Sequence, residues 1–504
     1  KWNVPSPQNW VEWLGVSIGI SLALYPLVLL WSNVIGLRLG ALYAWLPPVL
    51  GLGGLLYNSR LWRRSPSHVI AAIKGGACSK AFWPDVGFLL VVVLVAAARL
   101  LSVRGLDMPL WDDSVQHTII VKRILESGGL FQSWQPYAPY NTFSFQFGFH
   151  ANVAIWSWLT GLNAPQAVIW AGQLLNIMAV ITLYPLAYRI GGAWGGSIAI
   201  LIAGVFSRFP AYYTNWGRYP QMCGQAILPI AAWWLWITLR NHLPNKKRGI
   251  VLVIGGSYLL AGLALTYYRM AFHYLAFGIT LFLVLIKPSE FNQLSTNHGK
   301  RVNLVITPTI IIVVAMIFSL PWFYNVALQY KNAGEPVMPF VGQEKTTGKL
   351  WDQYKSLHVY WSFPRLTLLL FGVLMTVWVD KNTVLPIIWL LVLALLPTLR
   401  LTSIPVLQIL IQDFAIETSL YIPIALIWSS LGRLKEKLPI KRRLWSVFFT
   451  LILVGLAVWK IPSLIQIIDR DYDLSTRPDI RAAKWIEQSL PTEAFFLHNG
   501  IIYT

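Results

Sequence analysis

Apolar runs long enough to cross a bilayer recur at 13–31, 39–56, 86–101, 167–189, 193–209, 221–240, 250–267, 271–286, 304–322, 366–379, 383–400, 416–431 and 445–460. A helix of about 20 apolar residues matches the hydrocarbon core of a membrane, so this pattern predicts an all-α polytopic fold with thirteen transmembrane helices. Three longer polar stretches break the alternation of span and linker: 102–166, 323–365 and the tail from 461. The stretch 145–162 is apolar enough for a further span, but counting it would move the basic linker Lys246-Lys247-Arg248 to the opposite side of the membrane. It is therefore expected to be a helix lying in the membrane interface. Within 102–166, Val115, Ile119, Ile120, Ile124 and Leu125 form a stripe at helical spacing, which predicts a helix from Ser114 to Gly128, stopped by Gly128-Gly129. Asp113 then falls at the N-cap or in the first turn, with Asp112 just outside the helix.

Linker charge sets the expected orientation. Arg60, Arg63, Arg64, Lys74 and Lys80, the linker at 246–248, and Arg433, Lys435, Lys437, Lys441, Arg442 and Arg443 all belong on the cytoplasmic side. The N-terminus is then inside and the C-terminus outside. Of the 20 acids, all but Glu12, Asp85, Glu290, Asp380 and Glu436 fall on the outer side, so the polar chemistry is expected there. The net charge of +20 fits basic inner loops against anionic lipid head groups, and no nucleic-acid motif accompanies it. Cys78 and Cys223 lie on opposite sides in this topology and suggest neither a disulfide framework nor a metal site. The chain opens on Lys1 and ends at Thr504 within an apolar run, which predicts trimming at both ends.

Against so acid-poor a background, Asp107, Asp112 and Asp113 beside the third span are candidates for a reaction centre. Asp113 and His117 are four residues apart and share a helix face, so two carboxylates and an imidazole can converge there. A second group is Asn215, Arg218, Gln221 and Gln225, set among aromatic residues, and a third is Tyr267-Tyr-Arg-Met-Ala-Phe-His273. Arg218 and Arg269 are isolated cations at the outer ends of helices, where guanidinium groups suit a phosphate. Plainer readings suit the same residues: Asp113 as a helix cap, the arginines as snorkelling side chains, His150 as a packing residue in the interfacial helix.

In order along the chain, Trp111-Asp-Asp-Ser-Val-Gln-His117, Ile124-Leu-Glu-Ser-Gly-Gly129, Phe147-Gly-Phe-His-Ala151, Leu186-Ala-Tyr-Arg189 and Asn215-Trp-Gly-Arg-Tyr-Pro-Gln221 resemble the C superfamily of glycosyltransferases (GT-C). These are integral membrane enzymes that take a sugar from a polyprenyl-phosphate donor. The likeness covers about 90–460, and the tail from Ile480 to Ala494 looks like the start of the outer soluble domain that many such enzymes carry. The resemblance implies three parts: 1–85 with two extra helices and a basic loop, a transmembrane core at 86–460, and an extracytoplasmic region from 461 to 504. It nominates Asp113 first and Asp112 second as catalytic base, or as holders of Mg²⁺ or Mn²⁺. Where several relatives have a second acid this chain has Arg218-Tyr-Pro-Gln221, and two adjacent aspartates alone make a poor cage for a divalent cation.

The reaction so implied suits the residue types. A carboxylate accepts the proton of an acceptor hydroxyl, on a glycan, lipid or protein, as that oxygen attacks the anomeric carbon. Arg218 or Arg269 stabilises the leaving lipid phosphate, and His117 orients the carboxylate or meets a sugar hydroxyl. His150, Asn215, Gln221 and Lys345 are further candidates for substrate contact, Lys345 from a loop at 323–365 that resembles a mobile lid. Two other classes are open to the same sequence: a lipid or solute transporter, and a catalytically silent scaffold subunit within a membrane complex. The transporter is disfavoured because no internal repeat and no matched pair of broken helices is visible.

Overall fold

The computed structural model describes residues 7–58, 82–138, 141–240, 246–285, 298–332, 363–379, 384–396, 416, 418–436, 442–491 and 494. Its helices are α1 (Trp10–Val34), α2 (Ala41–Asn58), α3 (Phe82–Val103), α4 (Asp112–Ser127), α5 (Gly148–Thr160), α6 (Ala164–Ile181) and α7 (Tyr184–Leu201). There follow α8 (Tyr219–Arg240), α9 (Lys246–Thr266), α10 (Tyr268–Leu285), α11 (His298–Asn332), α12 (Phe363–Val379), α13 (Leu385–Leu395), α14 (Tyr421–Ser429), α15 (Arg442–Ile465) and α16 (Arg477–Ser489). Among the described residues there is no strand. Each of the thirteen apolar runs overlaps a helix among the described residues. Nine helices among the described residues are long and apolar enough to cross a membrane, counting α7 with its continuation to Phe206. The chain is a multi-pass helical membrane protein.

The bundle is built around α8, 94% of whose span is buried, with α1, α6, α9 and α10 against it. Helices immersed in lipid gain little from burying apolar surface against one another, so close backbone approach decides their packing. Gly262 of α9 illustrates this, because a Cβ there would run into the backbone and side chain of Ala23 on α1. On the outside of the bundle, Leu50, Val93, Leu451 and Trp459 turn apolar side chains outward.

One break between spans differs from expectation. The sequence suggested a boundary near 190–192, but the chain leaves α6 at Ile181 and starts α7 at Tyr184. Pro185 accounts for the difference: it occupies the first turn of α7, where its missing N–H has no intrahelical partner to lose. Gly192 (φ +68°) kinks α7 instead of ending it. The helix then closes in a π turn, Ile202–Phe206.

The two elements that carry the candidate chemistry form as expected, with one correction. α4 ends at Ser127 with Gly128 in the left-handed conformation (φ +66°), where glycine alone carries no steric penalty. It begins at Asp112, so that residue lies inside the first turn and not beyond it. α5 has 13 residues, about 20 Å of helix at the usual rise. It is too short to span and packs among α1, α2, α4 and α6. The segments at 333–362 and 397–415, which include Lys345 and most of the loop 323–365 expected to act as a lid, lie outside the described residues.

Candidate functional site

At one end of the bundle the start of α4 meets the chain that runs from α7 to α8. Trp111 precedes α4 at φ +69° and ψ 162°, a conformation nearly confined to glycine that costs a side-chain-bearing residue about 1–3 kcal/mol. Ser114 ties the turn together, its backbone N–H bonding the Trp111 carbonyl at 3.2 Å and its hydroxyl bonding the Leu110 carbonyl. From the other side, a single helical turn, Tyr213–Trp216, ends at Gly217 with φ +62°. A Cβ at Gly217 would meet the Ser114 backbone and the Asp113 side chain. Glycine is required here twice over, for its backbone angle and for the closeness of the two chains.

That approach delivers Arg218 to Asp113. Arg218 Nε lies 3.0 Å from Asp113 Oδ2, and the two side chains are 37% and 28% exposed, so the pair is open to an incoming molecule. Burial pushes the Asp113 carboxyl above its ordinary range; Arg218 opposes this, and Asp112 next to it adds to the rise. A carboxylate so placed takes up a proton more readily than a free aspartate.

His117, on the same face of α4 as Asp113, shares a hydrogen bond of 3.0 Å between its Nδ1 and Nε2 of His150 on α5. The His117 ring packs edge-on to Phe149, centroids 5.6 Å apart, and Phe149 stacks on Tyr219 at 5.6 Å. Burial lowers the His117 pKa from 6.5 to about 3, with the charge of Arg218 adding to the fall and the Gly217 carbonyl opposing it. His150 is held well below its ordinary value, first by burial and then by His117. Both imidazoles are neutral at ordinary pH and frame the Asp113–Arg218 pair without adding charge.

Two groups that are neutral when folded but titrate near 6.5 when unfolded stabilise the protein fully above pH 6.5. The His117 share of that contribution is lost as pH falls from 6.5 towards about 3, because the unfolded chain then binds a proton that the native imidazole refuses, and His150, lowered in the same direction, adds to the loss. Melting temperature is therefore expected to fall with acidification through this window. His117→Gln should flatten the profile; an equally steep slope in the variant would reject the assignment.

The remaining nominated residues separate into two groups. Arg269 is half-buried, donates from Nη1 to the Tyr267 hydroxyl at 3.2 Å and lies over the Tyr268 ring at 5.0 Å. Its Nε is buried without a hydrogen-bond partner among the described residues. Burial holds the phenol of Tyr213 protonated, with hydrogen bonds to Thr418 and Gln225 opposing the rise. The expectation of open substrate contacts fails for Asn215 and Gln221. Asn215 is fully buried, accepting from the Asp469 N–H at 2.9 Å and donating to the Ile467 carbonyl at 2.9 Å. Gln221 donates to the Tyr213 hydroxyl at 3.1 Å and to the Thr418 hydroxyl at 2.8 Å. Buried amides are obliged to find protein partners, and these two hold the loop together. His150, also fully buried, meets His117 and not solvent.

Among the described residues the side chains around Asp113 do not form a cage for a divalent cation. Asp113 already faces a guanidinium, and among the described residues no group of three His, Cys, Asp or Glu side chains converges.

Sequence reasoning passed over three features. Arg99 of α3 is 1% exposed, with Nε on Asn176 Oδ1 at 3.0 Å and Nη2 on the Gly204 carbonyl, within the π turn, at 2.7 Å. Asn176 in turn donates to the Pro210 carbonyl at 3.2 Å, so this buried cation props the base of the loop that carries Arg218. Its signal was an arginine inside an apolar run. The second feature is the segment after α15, at 467–473, which crosses the site. The third is a cavity of about 700 Å³ on the other face of α4, bordered by Met108, Val115, Ile119, Lys122 and Leu474.

No curated protein matches the chain. Among solved structures it is similar to ArnT from Cupriavidus metallidurans, whose crystal structure is of the protein bound to undecaprenyl phosphate. The identity is 15% and the TM-score 0.45, over 75% of this chain and 71% of that one. Residues 8–412 match the family of unknown function DUF6541, and the chain belongs to that family.

Proposed function

We propose that this protein is a polyprenyl-phosphate-dependent glycosyltransferase of the C superfamily. In this reading the α4 end of the bundle faces the extracytoplasmic side, and the sugar passes to an acceptor hydroxyl with inversion. The observation that carries the reading is the half-buried Asp113–Arg218 pair, 3.0 Å apart, at the end of a membrane bundle. It supplies a proton acceptor and a phosphate-binding cation side by side.

The donor phosphate draws Arg218 away from Asp113, because a guanidinium binds a phosphate with two parallel hydrogen bonds. Asp113, freed of its counter-charge and with its pKa raised by burial, accepts the proton of the acceptor hydroxyl. That oxygen bonds to the anomeric carbon as the bond from carbon to phosphate oxygen breaks. The charge left on the lipid phosphate is met by Arg218 and Arg269. His117 and His150, neutral and hydrogen-bonded to each other, keep the floor of the site free of competing charge.

Binding tests the reading before any sugar is known. The purified protein in nanodiscs should bind a polyprenyl phosphate, and Arg218→Gln should weaken that binding about 10- to 100-fold, the worth of a hydrogen bond to a charged group. Equal binding by both proteins would reject the proposal.

A further inference from the structure

Trp111 is the non-glycine residue with positive φ among the described residues, and it stands immediately before the two aspartates. Its own burial does not hold it there, since the side chain is 37% exposed. The restraint comes from the far end of the chain. The Trp111 N–H donates to the Tyr472 carbonyl at 2.9 Å, and the two rings meet edge to face, 5.0 Å apart at 73°.

The segment that supplies Tyr472 is fixed at a second place. Asn215, three residues before Arg218, grips the backbone on both sides of residue 468, through the Ile467 carbonyl and the Asp469 N–H. Between these two attachments the chain makes a tight turn, Arg470–Tyr472, capped by the Asp469 side chain. Beyond it Arg477 pairs with Asp107 at 2.7 Å. One short piece of chain therefore holds both halves of the site, the loop that presents Asp112 and Asp113 and the loop that presents Arg218.

The backbone angles of Trp111 fix the direction in which α4 leaves the loop. If Trp111 relaxed to negative φ, the first turn of α4 would rotate and carry Asp113 off Arg218. We propose that residues 467–473 are a strap that holds Trp111 in its strained turn and so keeps Asp113 set against Arg218. Asn215, Trp111 and Tyr472 are then positioning residues. Their part in catalysis rests on the transferase reading above, whereas their hold on the turn does not.

Hydrogen exchange on the full chain in nanodiscs, with no donor or acceptor added, tests the strap directly. Asn215→Ala and Tyr472→Gly are each expected to speed exchange of the amides at 112–116 about tenfold or more, while the amides of α8 keep their protection. Tyr472 is half-buried at the surface, so its variant does not depend on whether the bundle tolerates a hole at Asn215. The decisive variant is Trp111→Gly added to Tyr472→Gly. Glycine adopts the required angles without strain, so the double variant should exchange at 112–116 as slowly as the wild type. If Tyr472 served only as packing against the Trp111 ring, removing that ring as well would bring no such recovery. Unchanged exchange in both Asn215→Ala and Tyr472→Gly overturns the strap, and faster exchange without rescue by Trp111→Gly overturns the role of strain. A failure of lipid-phosphate binding would leave either result standing.

Discussion

Replacing Asp113 by Asn should reduce sugar transfer about 10²- to 10⁴-fold, the usual worth of a positioned general base, while the melting temperature stays near that of the wild type. Asparagine keeps the shape of the side chain and can still accept from Arg218, so what is removed is the site that takes up the proton. The small stability cost follows from exposure. The pair is 28% and 37% open to solvent, and ion pairs of that kind contribute about 0–1 kcal/mol. Asp112→Asn is the internal control. Asp112 acts on Asp113 by raising its pKa, so removing that charge should lower the basicity of Asp113 and weaken transfer far less than loss of Asp113 itself. The measurement is release of polyprenyl phosphate from a lipid-linked sugar donor by reconstituted protein. Full activity in Asp113→Asn would remove Asp113 as the base; full loss in Asp112→Asn with activity in Asp113→Asn would exchange the two assignments.

Local sequence patterns foretold what local physics determines. Hydropathy located the nine membrane-crossing helices among the described residues, because a span must satisfy its own backbone hydrogen bonds and its length is set by the membrane. It did not locate the break between α6 and α7. The stripe from Val115 to Leu125 and the glycines after it located α4. The pairing of Asp113 with Arg218 was within reach of composition, since few acids were available and both residues belong to polar segments between spans. Contacts between distant parts of the chain were not legible. Asn215 looked like an open polar residue among aromatics, yet its partners are 252 and 254 residues away, and nothing in its neighbourhood points to them. Gln221 was misread for the same reason, its partner Thr418 being 197 residues on. Gly217 carried a signal that was not used: a glycine wedged between a tryptophan and an arginine marks a backbone that must turn sharply or come close to another chain.

At the opposite end of the bundle, Arg189→Ala should destabilise the protein severely, by about 3–5 kcal/mol. Glu12 is fully buried and sits in the first turn of α1, where its Oε2 accepts from the Gln8 N–H at 2.6 Å. Asn9 Oδ1 accepts from the Glu12 N–H at 2.8 Å, so the two side chains close the N-terminus of α1 reciprocally. The other carboxylate oxygen receives Arg189 Nη2 of α7 at 2.7 Å and Trp233 Nε1 of α8 at 3.0 Å. One acid thus joins the N-terminal helix to two helices of the bundle. Removing Arg189 leaves a carboxylate out of water with its counter-charge gone, and that uncompensated charge costs more stability than the missing hydrogen bond does. The origin of the effect can be separated by a second variant. Glu12→Leu combined with Arg189→Leu removes both charges and fills the space, so it should recover most of the loss, because apolar replacement of a buried pair is often close to neutral. Thermal melting in nanodiscs reads both. A double variant as unstable as Arg189→Ala would mean that the attachment of α1 depends on the cap and the Trp233 hydrogen bond, and that the charge pair is incidental to it.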